Sequence, residues 1–418
     1  MGFEYREGEL YCDGLAIKTI ADEVQTPFYL YSHETLTSAY ESYKNAFSKV
    51  DTLICYACKA NSNLAILNTL AQKGAGADIL SGGELFKALK AGFPPQKIVF
   101  NGNGKTRQEL EYAVENNLLM INVDSSEELS LLAKIAKEKS KKVRIAIRVN
   151  PNINPLTHPY IATGLAKSKF GISNHEVEET YIQASKLENL EIAGIHCHIG
   201  SQITHVNLFV ELLHKILKLA QELKGIGINL EYINIGGGLG IKYHDEDVPT
   251  IQEFANILLP KIIDTNYKLI LEPGRSIVGE SGVLVTKILY IKKGHKHFIV
   301  VDAAMNDLIR SAFYHAYHRI IPVIKTDEQE GLTADIVGPI CEEGDFFAHD
   351  RVLPKPKVGD LLAILDAGAY GFVMSSNYNM RLKAAEVMVI DGKSHIIRER
   401  ESYEDLINKE AIPKVLNQ

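Results

Sequence analysis

Apolar, β-rich runs alternate with segments of helical periodicity through the middle of the chain. The runs are 52–57, 77–80, 98–100, 119–123, 143–149, 192–197, 232–235 and 269–271. Between the first two, Leu64, Leu67, Leu70 and Ala71 recur at the spacing of one helix face within 63–73. Segments 84–91, 107–116, 127–139, 176–186, 206–223 and 249–264 fill the later gaps in the same way. Strand–helix units repeated eight times in about 220 residues predict a TIM-like (β/α)8 barrel, an α/β barrel with a packed interior. A doubly wound sheet is the alternative, and the near-equivalence of the units favours closure.

After Gly274 the pattern changes. Segments 283–293, 297–303, 334–337, 361–367, 385–390 and 395–400 are strand-like, and Asp391-Gly392 turns between the last two. Helical periodicity is confined to 309–320 and 403–408. The N-terminal segment to Tyr31 is also strand-like and is expected to join this mostly β C-terminal domain. The predicted division is a barrel over 32–275 and a discontinuous β domain over 1–31 and 276–418. The polar run 325–331 is expected to be a solvated loop.

Composition narrows the class. Apolar residues form 46% and charged residues 23% of the 418, an ordinary globular balance. The net charge of −7 offers no basic field for a nucleic acid or an anionic membrane. No stretch reaches the roughly 18 apolar residues of a membrane span, and the opening Met1-Gly2-Phe3-Glu4-Tyr5-Arg6 is neither a signal peptide nor a myristoylation motif. Five scattered cysteines argue for reduced thiols and a cytoplasmic location.

In a barrel of this kind, working residues stand where strands run into their following loops. Those positions hold Lys59, Asp78 with Ser81-Gly82-Gly83, Asn101, Asp124, Arg148 with Asn150, His198, Gly236-Gly237-Gly238 and Glu272. One such residue is ordinarily a solvated loop polar group; a full rim of them points to a site. Lys59 ends a strand that should be buried, where low dielectric lowers an amine's pKa and makes it nucleophilic; a snorkelling lysine is the bland alternative. The glycine run after the seventh strand bares backbone N–H groups to an anion, in the usual place for a barrel phosphate site. It lacks dinucleotide spacing, because Ile241 stands where the third glycine belongs. In Glu272-Pro273-Gly274-Arg275 the carboxylate suits a protonated ring nitrogen and the guanidinium a carboxylate or phosphate. His196-Cys197-His198 supplies only two ligands to one strand face, too few for a metal, so none is expected. Cys55 and Cys58 are expected to be buried small hydrophobes rather than a redox pair.

An amine, a phosphate cradle, a carboxylate for a ring nitrogen and a flat imidazole together specify pyridoxal 5'-phosphate. The chain resembles the diaminopimelate decarboxylases, of the alanine-racemase-like, fold-type III class of pyridoxal-phosphate enzymes. The resemblance covers nearly the whole length. Its barrel motifs are Tyr56-Ala57-Cys58-Lys59-Ala60-Asn61, Ser81-Gly82-Gly83-Glu84, His198-Ile199-Gly200-Ser201-Gln202, the glycine run and Glu272-Pro273-Gly274-Arg275. Later come Met305-Asn306-Asp307-Leu308-Ile309-Arg310, Gly338-Pro339-Ile340-Cys341-Glu342, Gly368-Ala369-Tyr370 and Ser376-Asn377-Tyr378-Asn379. Glu343, Met380 and Leu382 depart from the family's usual residues.

The resemblance implies decarboxylation of meso-2,6-diaminopimelate to L-lysine, the last step of lysine biosynthesis, by a homodimer with shared sites. By the same resemblance Lys59 would carry the cofactor as an aldimine, Glu272 would hold its ring nitrogen protonated and His198 would stack on the ring. Asp78 and Arg148 would lie near the ring hydroxyl and imine. Ser201, Gly237, Gly238, the Pro273-Gly274-Arg275 stretch and Tyr370 would bind the phosphate. Arg275, Arg310 and Tyr314, with Tyr370 alongside, would take the distal carboxylate of the substrate, and Glu342 of the partner subunit its distal ammonium. Cys341 of the partner subunit would be the proton donor. Two alternatives stay open: a related decarboxylase of ornithine, arginine or a carboxylated polyamine, and a non-catalytic protein that keeps the fold. The first lacks a distal carboxylate for Arg310 and Tyr314; the second has no use for both Lys59 and Cys341.

Overall fold

The computed structural model describes residues 2–325 and 331–416, so most of the polar run 325–331 lies outside the described residues. The chain divides into two compact units, Thr37–Ile277 and Met1–Leu36 with Val278–Gln418.

The first unit is the barrel that the periodicity predicts. Its strands are β1 (Thr52–Ala57), β2 (Gly76–Ile79), β3 (Ile98–Phe100), β4 (Met120–Val123), β5 (Val143–Asn150), β6 (Leu190–His196), β7 (Tyr232–Asn234) and β8 (Lys268–Leu271). Each pairs in parallel with the next, and β8 returns to β1 with Leu269 opposite Thr52, which closes the ring. Strands of three to eight residues suffice because the interior is filled by side chains. Cys55, Val99, Met120, Ala146, Ala193, Tyr232 and Ile270 form one buried cluster drawn from most of the strands. Gly76 is required there, since a Cβ would lie 2.5 Å from the Lys97 carbonyl oxygen and 2.8 Å from Cys55 Sγ.

The helices start sharply at the ends of their loops. Ser81, Thr106, Ser125 and Thr250 each accept a hydrogen bond from the backbone N–H three residues on, and Thr106 and Thr250 complete capping boxes with Glu109 and Glu253. Four of the inter-strand helices are thereby fixed in register close to the strand ends that carry the candidate residues.

The second unit is built on sheet. Strand Phe28–Ser32 lies between Ala385–Ile390, parallel, and Gly282–Lys292, antiparallel. Gly282–Lys292 also pairs with Phe298–Val301 and Leu361–Ile364, and Gly331–Val337 continues the sheet to Phe346–Pro354. Phe28, Leu30, Val283, Val285, Ala363, Val387 and Val389 share its core with Leu10, Cys12 and Ile17.

Two expectations are corrected, and one strand was not foreseen. The N-terminal segment is not all strand: after Leu15–Ala16 it forms a helix, Ile17–Val24, whose Ile17, Ile20 and Ala21 face the core. The helix expected over 309–320 covers only Arg310–Tyr314, because His315 turns left-handed and Ile320–Pro322 is a strand paired with Leu361–Ile364. Apolar residues of the extended part mimic a helical period, and sheet pairing overrides it. Strand Phe346–Pro354, rich in charge and ending in proline, has no clean alternation and escaped the pattern altogether.

Candidate active site

The barrel rim holds a continuous chain of polar contacts. Beyond β1 the backbone makes a single tight turn, Cys58–Ala60, from which Lys59 Nζ donates to Asp78 Oδ2 at 3.0 Å. Asp78, on β2, is fully buried. Just past β3, Asn101 Nδ2 donates to Asp78 Oδ1 at 2.7 Å and to Glu272 Oε1 at 2.8 Å. Asn234 at the end of β7 donates to the same Oε1 at 2.7 Å, and His196 Nε2 at the end of β6 lies 3.2 Å from Oε2. Two carboxylates can only accept, so the amide nitrogen of Asn101 must face them; its oxygen takes the Asn122 amide at 2.7 Å.

The electrostatics follow from burial and these partners. Burial alone would raise the Glu272 carboxyl, but His196, Lys59 and the Asn234 bond outweigh it and hold the group well below the usual carboxylate range. Burial pushes Asp78 upward against the pull of Lys59, and the charge of Glu272 adds to the push. Burial, reinforced by Lys59 and Arg148, holds His198 well below the ordinary imidazole range, so its ring is neutral near pH 7. Its Nδ1 accepts the Gly237 N–H at 3.3 Å.

The glycine run is a cradle with no room for side chains. Gly236 and Gly238 have φ of +68° and +119°, which favour glycine. A Cβ on Gly237 would lie 2.0 Å from the Glu272 carbonyl oxygen, and one on Gly238 would lie 2.3 Å from that of Gly200. A Cβ on Gly274, after Pro273, would lie 2.9 Å from Ala60 Cβ and 3.0 Å from Ala57 Cβ. Arg275 donates to Tyr243 Oη at 2.7 Å and to Ser201 Oγ at 3.1 Å. Arg148, on β5, lies 3.5 Å from Asp124 and over the Phe170 ring. Cys55 and Cys58 are both buried thiols, although Cys58 belongs to the turn rather than to the strand. Among the described residues no group of three or more His, Cys, Asp or Glu is arranged to hold a metal.

These residues fit pyridoxal phosphate. An amine stands beside a carboxylate, a second carboxylate is kept anionic, a flat neutral imidazole is available, and side-chain-free backbone lies next to a serine and an arginine.

The other candidates lie in the second unit. Cys341 is exposed, and its backbone N–H donates to Asn379 Oδ1 at 3.3 Å. Glu342 accepts from Tyr378 Oη at 2.7 Å. Asp345 ties this turn down by accepting from the Met305 and Ile340 N–H groups, each at 2.7 Å. Arg310 and Tyr314 begin and end one short helix. Tyr370 holds φ at +57°, an uncommon conformation for an aromatic residue.

Sequence reasoning missed His196 as a partner of Glu272, and it missed Asn122, Asn234 and Tyr243. For the first three a signal existed: each is a polar side chain inside an otherwise apolar strand run, and buried polar groups need partners. Tyr243 lies in a loop and offered none.

The family model for the pyridoxal-dependent decarboxylase, pyridoxal binding domain, matches residues 33–279. Diaminopimelate decarboxylase of Aquifex aeolicus is 53% identical over 97% of this chain and 96% of that protein. The Archaeoglobus fulgidus enzyme of the same name is 47% identical over 99% of this chain and 100% of its own. Among solved structures, diaminopimelate decarboxylase from M. jannaschii in co-complex with L-lysine superposes with a TM-score of 0.94 at 41% identity, covering 99% of this chain and 98% of that one. Strand order, rim chemistry and similarity over nearly the full length agree, and the chain belongs to the diaminopimelate decarboxylases, a family of pyridoxal-phosphate-dependent enzymes.

Proposed function

We propose that this protein decarboxylates meso-2,6-diaminopimelate to L-lysine as a cytoplasmic homodimer with shared sites. The observation that carries the reading is the chain Lys59–Asp78–Asn101–Glu272, in which a partly exposed amine is joined through buried groups to a fixed anion on one rim. Lys59 supplies the amine that attaches the cofactor, and Asp78 orients it. Glu272, held ionised, keeps the ring nitrogen protonated, while neutral His198 stacks on the ring face. Ser201, the 237–238 backbone, the Gly274-Arg275 stretch and Tyr370 hold the phosphate. Arg148 stays near the attachment point. Bound there, pyridoxal phosphate supplies the electron sink that decarboxylation requires.

Substrate choice rests on the far end of the molecule. Arg275, Arg310 and Tyr314 grip the distal carboxylate, and Glu342 of the partner subunit takes the distal ammonium. Binding energy at that end orients the scissile carboxylate, which is left without a neutralising partner. Cys341 of the partner subunit delivers a proton from Sγ to the carbon that has lost carbon dioxide; thiols are suited to this near neutral pH.

The test is carbon dioxide release from labelled meso-diaminopimelate and from ornithine, followed by borohydride reduction and peptide mapping. The expected result is release from diaminopimelate alone, with the reduced cofactor on Lys59 and none bound covalently in Lys59→Ala. Label on Lys167 or Lys169, or release from ornithine, overturns the reading.

A further inference from the structure

His318 is buried without any exposure, and the proposed reaction leaves it unused. Its Nδ1 lies 2.8 Å from the Leu365 carbonyl oxygen, and its Nε2 lies 2.8 Å from Arg310 Nη1. A carbonyl only accepts and a guanidinium only donates, so both contacts are hydrogen bonds in just one state of the ring. That state is the neutral tautomer with its proton on Nδ1. Its Nε2 lone pair then faces the arginine.

The backbone fixes the ring from both sides. His315 ends the helix Arg310–Tyr314 in the left-handed conformation, and the Ala316 N–H returns to the Arg310 carbonyl at 3.3 Å. The His318 carbonyl accepts from Arg351 Nη1 at 3.1 Å, and the Leu365 N–H donates to the Arg319 carbonyl oxygen at 2.8 Å. The imidazole therefore bridges the sheet and the first residue of the helix. An uncharged acceptor has a further consequence. A carboxylate in this position would oppose the charge of Arg310, whereas a neutral imidazole orients the guanidinium without adding a negative charge.

We infer that His318 is a positioning residue for substrate specificity: its neutral imidazole holds Arg310 in the orientation that receives the distal carboxylate of the substrate. The inference rests on the role proposed above for Arg310, and the experiment separates the two. Holoenzymes carrying His318→Asn, His318→Gln, Arg310→Met and the double change His318→Asn/Arg310→Met are compared for KM and kcat with meso-diaminopimelate. Cofactor absorbance and thermal unfolding are recorded for each. Asparagine keeps a donor near the Nδ1 position and withdraws the acceptor from Arg310; glutamine can make both bonds.

The expected result is a KM raised about tenfold in His318→Asn, with kcat changed less than threefold and cofactor absorbance unaltered. His318→Gln should recover most of the loss, and the double variant should be no worse than Arg310→Met alone. If Arg310→Met raises KM while His318→Asn leaves it within twofold, the positioning role is wrong. Additive losses in the double variant also refute it, because His318 would then act on the scaffold rather than through Arg310. If His318→Asn does not fold, a folded His318→Gln with KM raised as far as in Arg310→Met refutes it as well. An unchanged KM in Arg310→Met overturns the assignment of Arg310 itself.

Discussion

Replacing Asn101 with leucine removes the one amide that donates to both buried carboxylates. The two side chains share the same branched four-atom skeleton, with leucine the bulkier, so no cavity forms and no space opens for water. Two bonds to charged acceptors, at 2.7 and 2.8 Å, are lost. Each is worth about 1.5–3 kcal/mol when its acceptor cannot reach solvent. The Asn122 amide loses its acceptor too, adding about 1 kcal/mol. Even at the low end of these ranges the loss is about 4 kcal/mol, a large share of a typical folding free energy. With a urea slope of about 3–4 kcal/mol per molar for a unit of this size, the midpoint should fall by roughly 1 M. The chain has no tryptophan, so the transition is best followed by far-UV circular dichroism. The loss should also grow with pH. Without the bridging donor, one of the two carboxylates takes up a proton in the folded state, at one pKa unit per 1.36 kcal/mol. A raised folded pKa means that stability falls as pH climbs from the unfolded value to the folded one. A midpoint shift under about 0.3 M at unchanged slope, or a loss independent of pH between 5 and 8, would refute the bridging role.

Two further outcomes are expected. Lys59→Ala and Cys341→Ala dimers, each nearly inactive, should recover about a quarter of wild-type activity after subunit exchange, since half the dimers are mixed and each carries one intact site; no recovery after demonstrated exchange puts Cys341 in the same chain as Lys59. Burial pushes the Glu84 carboxyl to about 7, against the hydrogen bond from the Leu80 N–H, so native protein should lose stability as pH rises from 4.5 to 7. Glu84→Gln should flatten that slope in denaturant titrations by about 2 kcal/mol, after allowance for partial exposure, and an unaltered slope would show that Glu84 is ionised throughout.

The barrel was legible because a strand end, a capped helix and the next strand leave a repeated signature, and Ser81, Thr106, Ser125 and Thr250 punctuate it. The rim residues were legible for the same reason: once strand ends are located, Lys59, Asp78, Asn101 and Glu272 announce themselves as polar groups at one edge. Their pairing was not, because hydrogen bonds between residues on different strands depend on the ring's register, which no local pattern carries. Asn234 and His196 lie inside apolar runs, and the side-by-side pairing of the sixth, seventh and eighth strands brings them to Glu272. In the second unit the edge strand Phe346–Pro354 and the short helix Arg310–Tyr314 depend on sheet partners distant in sequence, so local periodicity misled there.

The bond from Asn101 to Glu272 joins residues 171 positions apart, and it bridges the third and the last strand of a circular sheet. Contacts of such long sequence separation form late, since most of the loop-closure entropy must be overcome before they form. Asn234 and His196 reach Glu272 from the adjoining seventh and sixth strands, whereas its link through Asn101 to Asp78 is made only once the ring has sealed. A barrel arrested with a gap between its first and last strands would hold Glu272 through Asn234 and His196 and still lack its link to Asp78. An intact bridge from Asp78 through Asn101 to Glu272 is thus the molecule's own mark of complete assembly, spanning the seam where the circle closes.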